Sequence, residues 1–164
     1  MTAQSKQTIE LNVDGEDIEV AVRPHHLLVD VLRDKCGRIS VKEGCESASC
    51  GACTVLIDGQ PTLSCITLAV DSVGHKISTV EGLSQPGGSL HPLQQAFIDN
   101  HAIQCGFCTP GMLLAAAALL QKTPHPSETE IREALSGNLC RCTGYVRIVR
   151  AISEAAQVAQ NAKQ

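Results

Sequence analysis

Eight of the nine cysteines fall into two sets of four, and any fold this chain adopts must gather each set to one place. The first set is Cys45, Cys50, Cys53 and Cys65, a C-x4-C-x2-C run with a fourth cysteine after a short stretch. The second is Cys105, Cys108, Cys140 and Cys142, a C-x2-C pair and a distant C-x-C pair. The first spacing demands a loop that curls on itself. The second demands that two remote segments meet. Thiols in such patterns point to metal rather than disulfides when the compartment is reducing.

Composition narrows the reading further. The chain has 164 residues, room for one domain or two small ones. Only 2% of it is aromatic: Phe97, Phe107 and Tyr145. A core built from Leu, Ile, Val and Ala gains less burial per side chain, so bound metal is expected to anchor the fold. The formal net charge of −4, with no basic run, excludes a nucleic-acid partner. The longest apolar run, Met112 to Leu120, falls far short of the ~20 residues of a membrane span. Met1 to Gln7 is polar, with neither an apolar signal segment nor a twin arginine, which predicts a cytoplasmic protein.

Periodicity divides the chain in two. Ile9, Leu11 and Val13 alternate with polar residues, as do Ile18, Val20 and Val22, around an Asp14-Gly15 turn. Leu27 to Lys35 has helical spacing, with Gly37 suited to its C-terminal cap. Thr54 to Ile57 and Pro61 to Ser64 flank Asp58-Gly59, and Lys76 to Val80 predicts a last strand. Hairpin, helix, cysteine loop and hairpin together predict a ferredoxin-like β-grasp domain over residues 1–81. Residues 82–89 (GLSQPGGS) form the expected linker. From Leu90 the period is helical. Leu90, Leu93 and Phe97 share a face behind Pro92. Met112 to Lys122 is apolar nearly all round and so expected to be buried. Ser127 with Glu130 predicts a capping box for a helix that stops at Gly137. A last helix starts near Tyr145 and runs into a polar, frayed tail. Residues 90–164 are therefore expected to form a small all-α domain of four helices, and the fold class is α+β.

The chemistry of the two sets differs in specificity. The C-x4-C-x2-C run with a later fourth cysteine is the spacing of plant-type [2Fe–2S] ferredoxins, whereas zinc knuckles use C-x2–4-C pairs. Gly44 and Gly51 are expected at positive φ, letting amides approach the sulfurs, with Ser47, Ala48 and Ser49 small enough not to obstruct. In the second set Pro110 suits a first helical turn, which places Cys108 at a helix N-terminus where a thiolate is favoured. A C-x-C pair needs a turn to aim both sulfurs one way, and Gly137 and Gly144 bracket it. Arg141, between the two ligands, would offset part of a cluster's negative charge. Spacing alone leaves zinc open for this second set.

Three stretches carry a resemblance: Gly44–Thr54 (GCESASCGACT), Gln104–Met112 (QCGFCTPGM) and Gly137–Tyr145 (GNLCRCTGY). With them the chain, from about Leu11 to Ile152, resembles the small iron–sulfur subunit of the xanthine dehydrogenase family of molybdenum hydroxylases, carbon monoxide dehydrogenases among them. The resemblance implies a plant-ferredoxin-like domain followed by a four-helix bundle. It implies two [2Fe–2S] clusters on the eight cysteines, with no catalytic residue in this chain. It further implies a large partner subunit holding the molybdenum–pterin cofactor, contacted by Gln104 and Cys142. A medium subunit would hold FAD, facing the loop from Glu46 to Ser49, in a heterotrimer or a dimer of heterotrimers. Isoquinoline-type members of the family lack the flavin subunit and pass electrons to another acceptor.

Cys36 fits neither set and is read as a small buried hydrophobe. The six histidines are scattered, none at ligand spacing, and none is assigned a ligand or acid–base role. Two rival functions are weighed against the bound electron-transfer subunit. One is a free ferredoxin-type carrier, which would need only the first set. The other is a zinc or disulfide scaffold that carries no electrons.

Overall fold

The computed structural model of the protein describes residues 5–84 and 88–161. The polar start at residues 1–4, the middle of the expected linker at 85–87 and the expected tail beyond Asn161 lie outside the described residues.

Both predicted hairpins form. Strands β1 (Gln7–Val13) and β2 (Glu16–Val22) pair antiparallel, with Val13 opposite Glu16. Asp14 and Gly15 between them have φ of 55° and 83°, the double left-handed turn that matches strand twist. Strands β3 (Thr54–Ile57) and β4 (Gln60–Leu63) turn the same way at Asp58 and Gly59, with φ of 49° and 79°. Strand β5 (Lys76–Ser78) lies between the hairpins, parallel to β1 and antiparallel to β3, giving the order β2-β1-β5-β3-β4. It stops short of the expected Val80 because the Thr79 amide donates to the Asp14 carboxylate at 2.7 Å instead of to a strand. Helix α1 (Leu28–Asp34) lays Leu28, Val29, Val31 and Leu32 over Leu11, Val13, Val20, Val22, Val55 and Ile77 of the sheet. Its capping residue is Lys35, and Gly37 follows at φ 70° to let the chain leave.

The second half is helical: α2 (Pro92–Asp99), α3 (Thr109–Lys122), α4 (Glu128–Ala134) and α5 (Val146–Asn161). The Ser127–Glu130 capping box forms as predicted. A second one, unforeseen, starts α2: His91 Nδ1 accepts from the Leu93 amide at 3.2 Å while Gln94 accepts from the His91 amide at 2.8 Å. Helix α4 ends at Ala134, before the expected Gly137. Phe97, Met112, Ile131, Ile148 and Ile152 are fully or almost fully buried at the centre of this half. Helix α3 packs on β3 and β4 as well as on α2 and α4, which explains its apolar circumference: its first half is buried between sheet and helices. Among the described residues no helix is long and apolar enough to cross a membrane.

The start of the expected linker is clamped onto the first hairpin. The Asp14 carboxylate accepts from the Thr79 amide, the Thr79 hydroxyl at 2.8 Å and Arg38 Nε at 2.9 Å. Arg38 also reaches Glu16 at 2.6 Å. A Cβ on Gly82 would stand 2.4 Å from Asp14 Oδ1, so only glycine fits against the clamp.

Candidate metal centres

The first set is built on the loop between α1 and β3. Glu46 and Ala48 sit at φ of 53° and 60°, and Gly51 at 70°. This curl aims the amides of Ser47 and Ser49 at Cys45 Sγ, at 3.5 and 3.3 Å. Gly44 does not take the positive φ expected of it. It is small for another reason: a Cβ there would stand 3.2 Å from Cys50 Sγ and 3.3 Å from the ring of Phe107. Cys65 arrives on a short 3-10 turn (Ser64–Ile66) after β4. The Ser64 hydroxyl ties that turn to the Cys53 carbonyl at 2.7 Å.

The thiols of this set meet in twos. Cys45 contacts Cys50, and Cys53 contacts Cys65. The Ser47 amide, with the Ser47 side chain and the Ser49 amide, pulls the Cys45 thiol down to about 6 from its ordinary 9.0. Burial pushes Cys53 the other way, up to about 11. The loop thus already stabilises negative charge on its outermost sulfur.

The second set is also gathered as two pairs. Cys142 lies 3.6 Å from Cys105, both exposed, and Cys108 contacts Cys140 further in. Cys108 is the N-capping residue of α3, as predicted. Its thiol is nevertheless not acidified. Burial and the neighbouring Cys140 push it up to about 12, outweighing the helix end. Burial also acts upward on Cys140, but the Thr143 hydroxyl, 3.1 Å from its sulfur, and the Thr143 amide bring it below the ordinary value. Gly144 and Tyr145 at φ of 65° and 68° make the turn after the C-x-C pair; Gly137 does not need a positive φ. Gln104 Nε2 donates to the Cys142 carbonyl at 3.1 Å, so the two expected cofactor-contacting residues are neighbours. Arg141 is exposed, and Cys36 is buried in the same core as Cys53 and Cys65 without joining either pair.

A tetrahedral zinc would draw four thiolates to one point. Two pairs side by side suit a binuclear centre in which each iron takes two thiolates. The residues present therefore fit a [2Fe–2S] cluster at each set.

The two sets are joined in a way spacing did not reveal. The Leu139 amide donates to the Cys50 carbonyl at 2.8 Å. Asn138 Nδ2 donates to the Gly51 carbonyl at 2.9 Å. Asn138 lies in the Gly137–Tyr145 stretch, but nothing in its spacing shows that its side chain is buried against Gly51. An Asp58–His75 contact at 2.5 Å was likewise unforeseen, but it is exposed and braces the β3–β4 turn against β5.

Residues 3–98 match the family of the 2Fe-2S iron-sulfur cluster binding domain, and residues 79–153 that of the [2Fe-2S] binding domain. The nicotinate dehydrogenase small FeS subunit of Eubacterium barkeri is 48% identical over 158 residues, 96% of this chain and 99% of that protein. The chain belongs to the small iron–sulfur subunits of the xanthine dehydrogenase family of molybdenum hydroxylases. The xanthine dehydrogenase iron-sulfur-binding subunit of Escherichia coli O157:H7 is 46% identical over 150 residues, 88% of this chain and 91% of that protein. The crystal structure of quinoline 2-oxidoreductase from Pseudomonas putida 86 contains a chain that superposes with a TM-score of 0.91 at 46% identity, covering 99% of this chain and 100% of that one. As a member of this family the protein is an electron-transfer, non-catalytic subunit of an oxidoreductase.

Proposed function

We propose that this subunit carries two [2Fe–2S] clusters and relays single electrons between a molybdenum–pterin centre in a large partner subunit and FAD or another acceptor. The observation that carries the reading is the pair of paired-thiol sites joined backbone to backbone by the Leu139–Cys50 hydrogen bond. Cys45 and Cys50 would hold one iron of the first cluster, and Cys53 and Cys65 the other. Cys105 with Cys142, and Cys108 with Cys140, would do the same in the second. Each cluster, when bound, takes up and gives up one electron at a time. The chain's own contribution is to set how readily. The Ser47 and Ser49 amides stabilise charge at Cys45, and Thr143 does so at Cys140.

The second site is the one that would meet the molybdenum subunit. Cys105 and Cys142 are exposed there, with Gln104 holding the Cys142 carbonyl. Ile103, Phe107, Leu139 and Val146, which flank this set in sequence, are all exposed large hydrophobics. Such residues beside a redox centre suit a covered face. The loop from Glu46 to Ser49 is exposed over most of its length and would face the flavin or other acceptor. We take residues 90–164 as a four-helix bundle and residues 1–81 as a β-grasp domain. We place the assembly, a heterotrimer or a dimer of heterotrimers, in the cytoplasm. A free carrier would have no use for the second site or for Gln104.

The test is an iron and sulfide count with EPR on the purified protein. Four iron, four sulfide and two distinct signals after reduction are expected. Stoichiometric zinc with no visible absorption would refute the reading. Isolation as an active monomer, with no large pterin-binding chain co-purifying, would favour the free carrier.

A further inference from the structure

We infer that Asn138, which belongs to the helical half, is a positioning residue for the cysteine set of the other half. The inference rests on the two-cluster reading and goes beyond it. Asn138 is 6% exposed. Its amide nitrogen has two hydrogens, and the structure gives both a target: the Gly51 carbonyl at 2.9 Å and Thr54 Oγ1 at 3.2 Å. The Thr54 hydroxyl donates in turn to the same Gly51 carbonyl at 2.7 Å. Gly51 lies between Cys50 and Cys53, so its carbonyl sits at the centre of the ligand loop and is held from two sides.

Packing closes the grip. A Cβ on Gly51 would stand 2.2 Å from the Gly137 carbonyl oxygen and 2.6 Å from Asn138 Nδ2. A Cβ on Gly111, at the start of α3, would stand 2.4 Å from the Gly51 carbonyl oxygen. Gly51 must be glycine because of Gly137 and Asn138, and Gly111 must be glycine because of Gly51.

The grip is anchored at the second set. The Asn138 amide donates to the Leu135 carbonyl at the end of α4. The Tyr145 hydroxyl accepts from the Cys140 amide at 2.8 Å and faces the Asn138 carbonyl at 3.5 Å. A chain of hydrogen bonds thus runs from a ligand of the second cluster to the ligand loop of the first. Without Asn138 the buried Gly51 carbonyl loses a donor, and the loop from Cys50 to Cys53 is freer to open and release iron.

The experiment uses the full chain reconstituted with iron and sulfide. Cys53→Ser and Cys108→Ser each remove one ligand of one set, and with it that set's signal, and so assign the two EPR signals. Asn138→Leu and Thr54→Val are then compared with the parent for signal shape and for iron loss to a chelator. Both should change the first signal and release its iron about tenfold faster, the factor for one buried hydrogen bond of ordinary strength. The second signal should keep its shape and rate. Thr54→Ser, which keeps the hydroxyl, should restore the parent behaviour. Should Asn138→Leu fail to fold, the near-isosteric Thr54→Val and its serine counterpart decide alone. Parent rates at the first site, or equal losses from both sites alongside a mere fall in Tm, would overturn the inference. A parent protein without two signals would instead overturn the cluster reading beneath it.

Discussion

The Leu139 amide donates to the Cys50 carbonyl at 2.8 Å. From Cys50 Sγ the main chain leads through that carbonyl to Leu139 nitrogen, and from there to Cys140 Sγ. One hydrogen bond is the only through-space step on this route. Leu139→Pro removes the donor, and Leu139→Ala retains it. Electron exchange between the two sites, followed by absorbance after flash reduction, should slow in the proline variant and stay unchanged in the alanine one. Equal rates in both would remove this hydrogen bond from the route.

The iron-free protein should show strongly graded thiols. Cys45, held down to about 6, is mostly thiolate at neutral pH, while Cys53 at about 11 and Cys108 at about 12 are protonated. Alkylation followed by mass spectrometry should therefore label Cys45 first, with a midpoint near pH 6. The folded value lies below the unfolded one, so ionised Cys45 favours the folded loop fully above the ordinary 9.0. That contribution fades as pH falls through about 6. Labelling of Cys53 ahead of Cys45 at neutral pH would contradict the loop geometry.

Asp14→Ala should cost about 3 kcal/mol in urea unfolding, because it strips a nearly buried carboxylate from Arg38, the Thr79 amide and the Thr79 hydroxyl. Cluster spectra should be unaffected, since none of the clamp's bonds reaches a cysteine of either set. A loss under 1 kcal/mol would mean that water replaces these bonds at little cost.

Phe97→Ala should be among the costliest changes in the helical half. The ring is fully buried, the one fully buried aromatic side chain among the described residues, packed among Leu93, Met112, Ile131, Ile148 and Ile152. Removing it should cost about 3–5 kcal/mol, or about 10 °C in Tm for a chain of this size. Calorimetry of the reconstituted protein reads the effect directly.

Gln104→Ala should leave both clusters in place. In the assembled complex it should lower pterin occupancy or slow reduction of the second cluster by substrate. The Gln104–Cys142 hydrogen bond makes the side chain part of the site's rim. Normal pterin content with unchanged reduction rates would make it a mere surface residue.

Elements with a local signal were legible in the sequence. Asp14-Gly15 and Asp58-Gly59 announce their turns because few residues accept two successive left-handed conformations. Ser127 and Glu130 announce a helix start because both partners sit within one turn. The eight cysteines announce themselves by spacing. What escaped is what depends on distant neighbours. Thr79 reads as strand, yet its amide belongs to Asp14. Glu46 and Ala48 take the left-handed conformation that glycine was expected to supply. Cys108 sits at the foreseen helix end, but burial overrides the dipole. Asn138 sits in a motif stretch beside Cys140, but only the docking of the two halves gives its side chain two acceptors.

The exposed Cys105–Cys142 pair has a consequence for handling the protein. Once iron is lost, two thiols 3.6 Å apart stand open to solvent and dioxygen. Air can then oxidise them to a bond that blocks reloading, with the dioxygen reduced in the process. The partly covered Cys108 and Cys140 are less accessible. A reductant present before iron and sulfide are added should reopen this pair and restore loading of the second site.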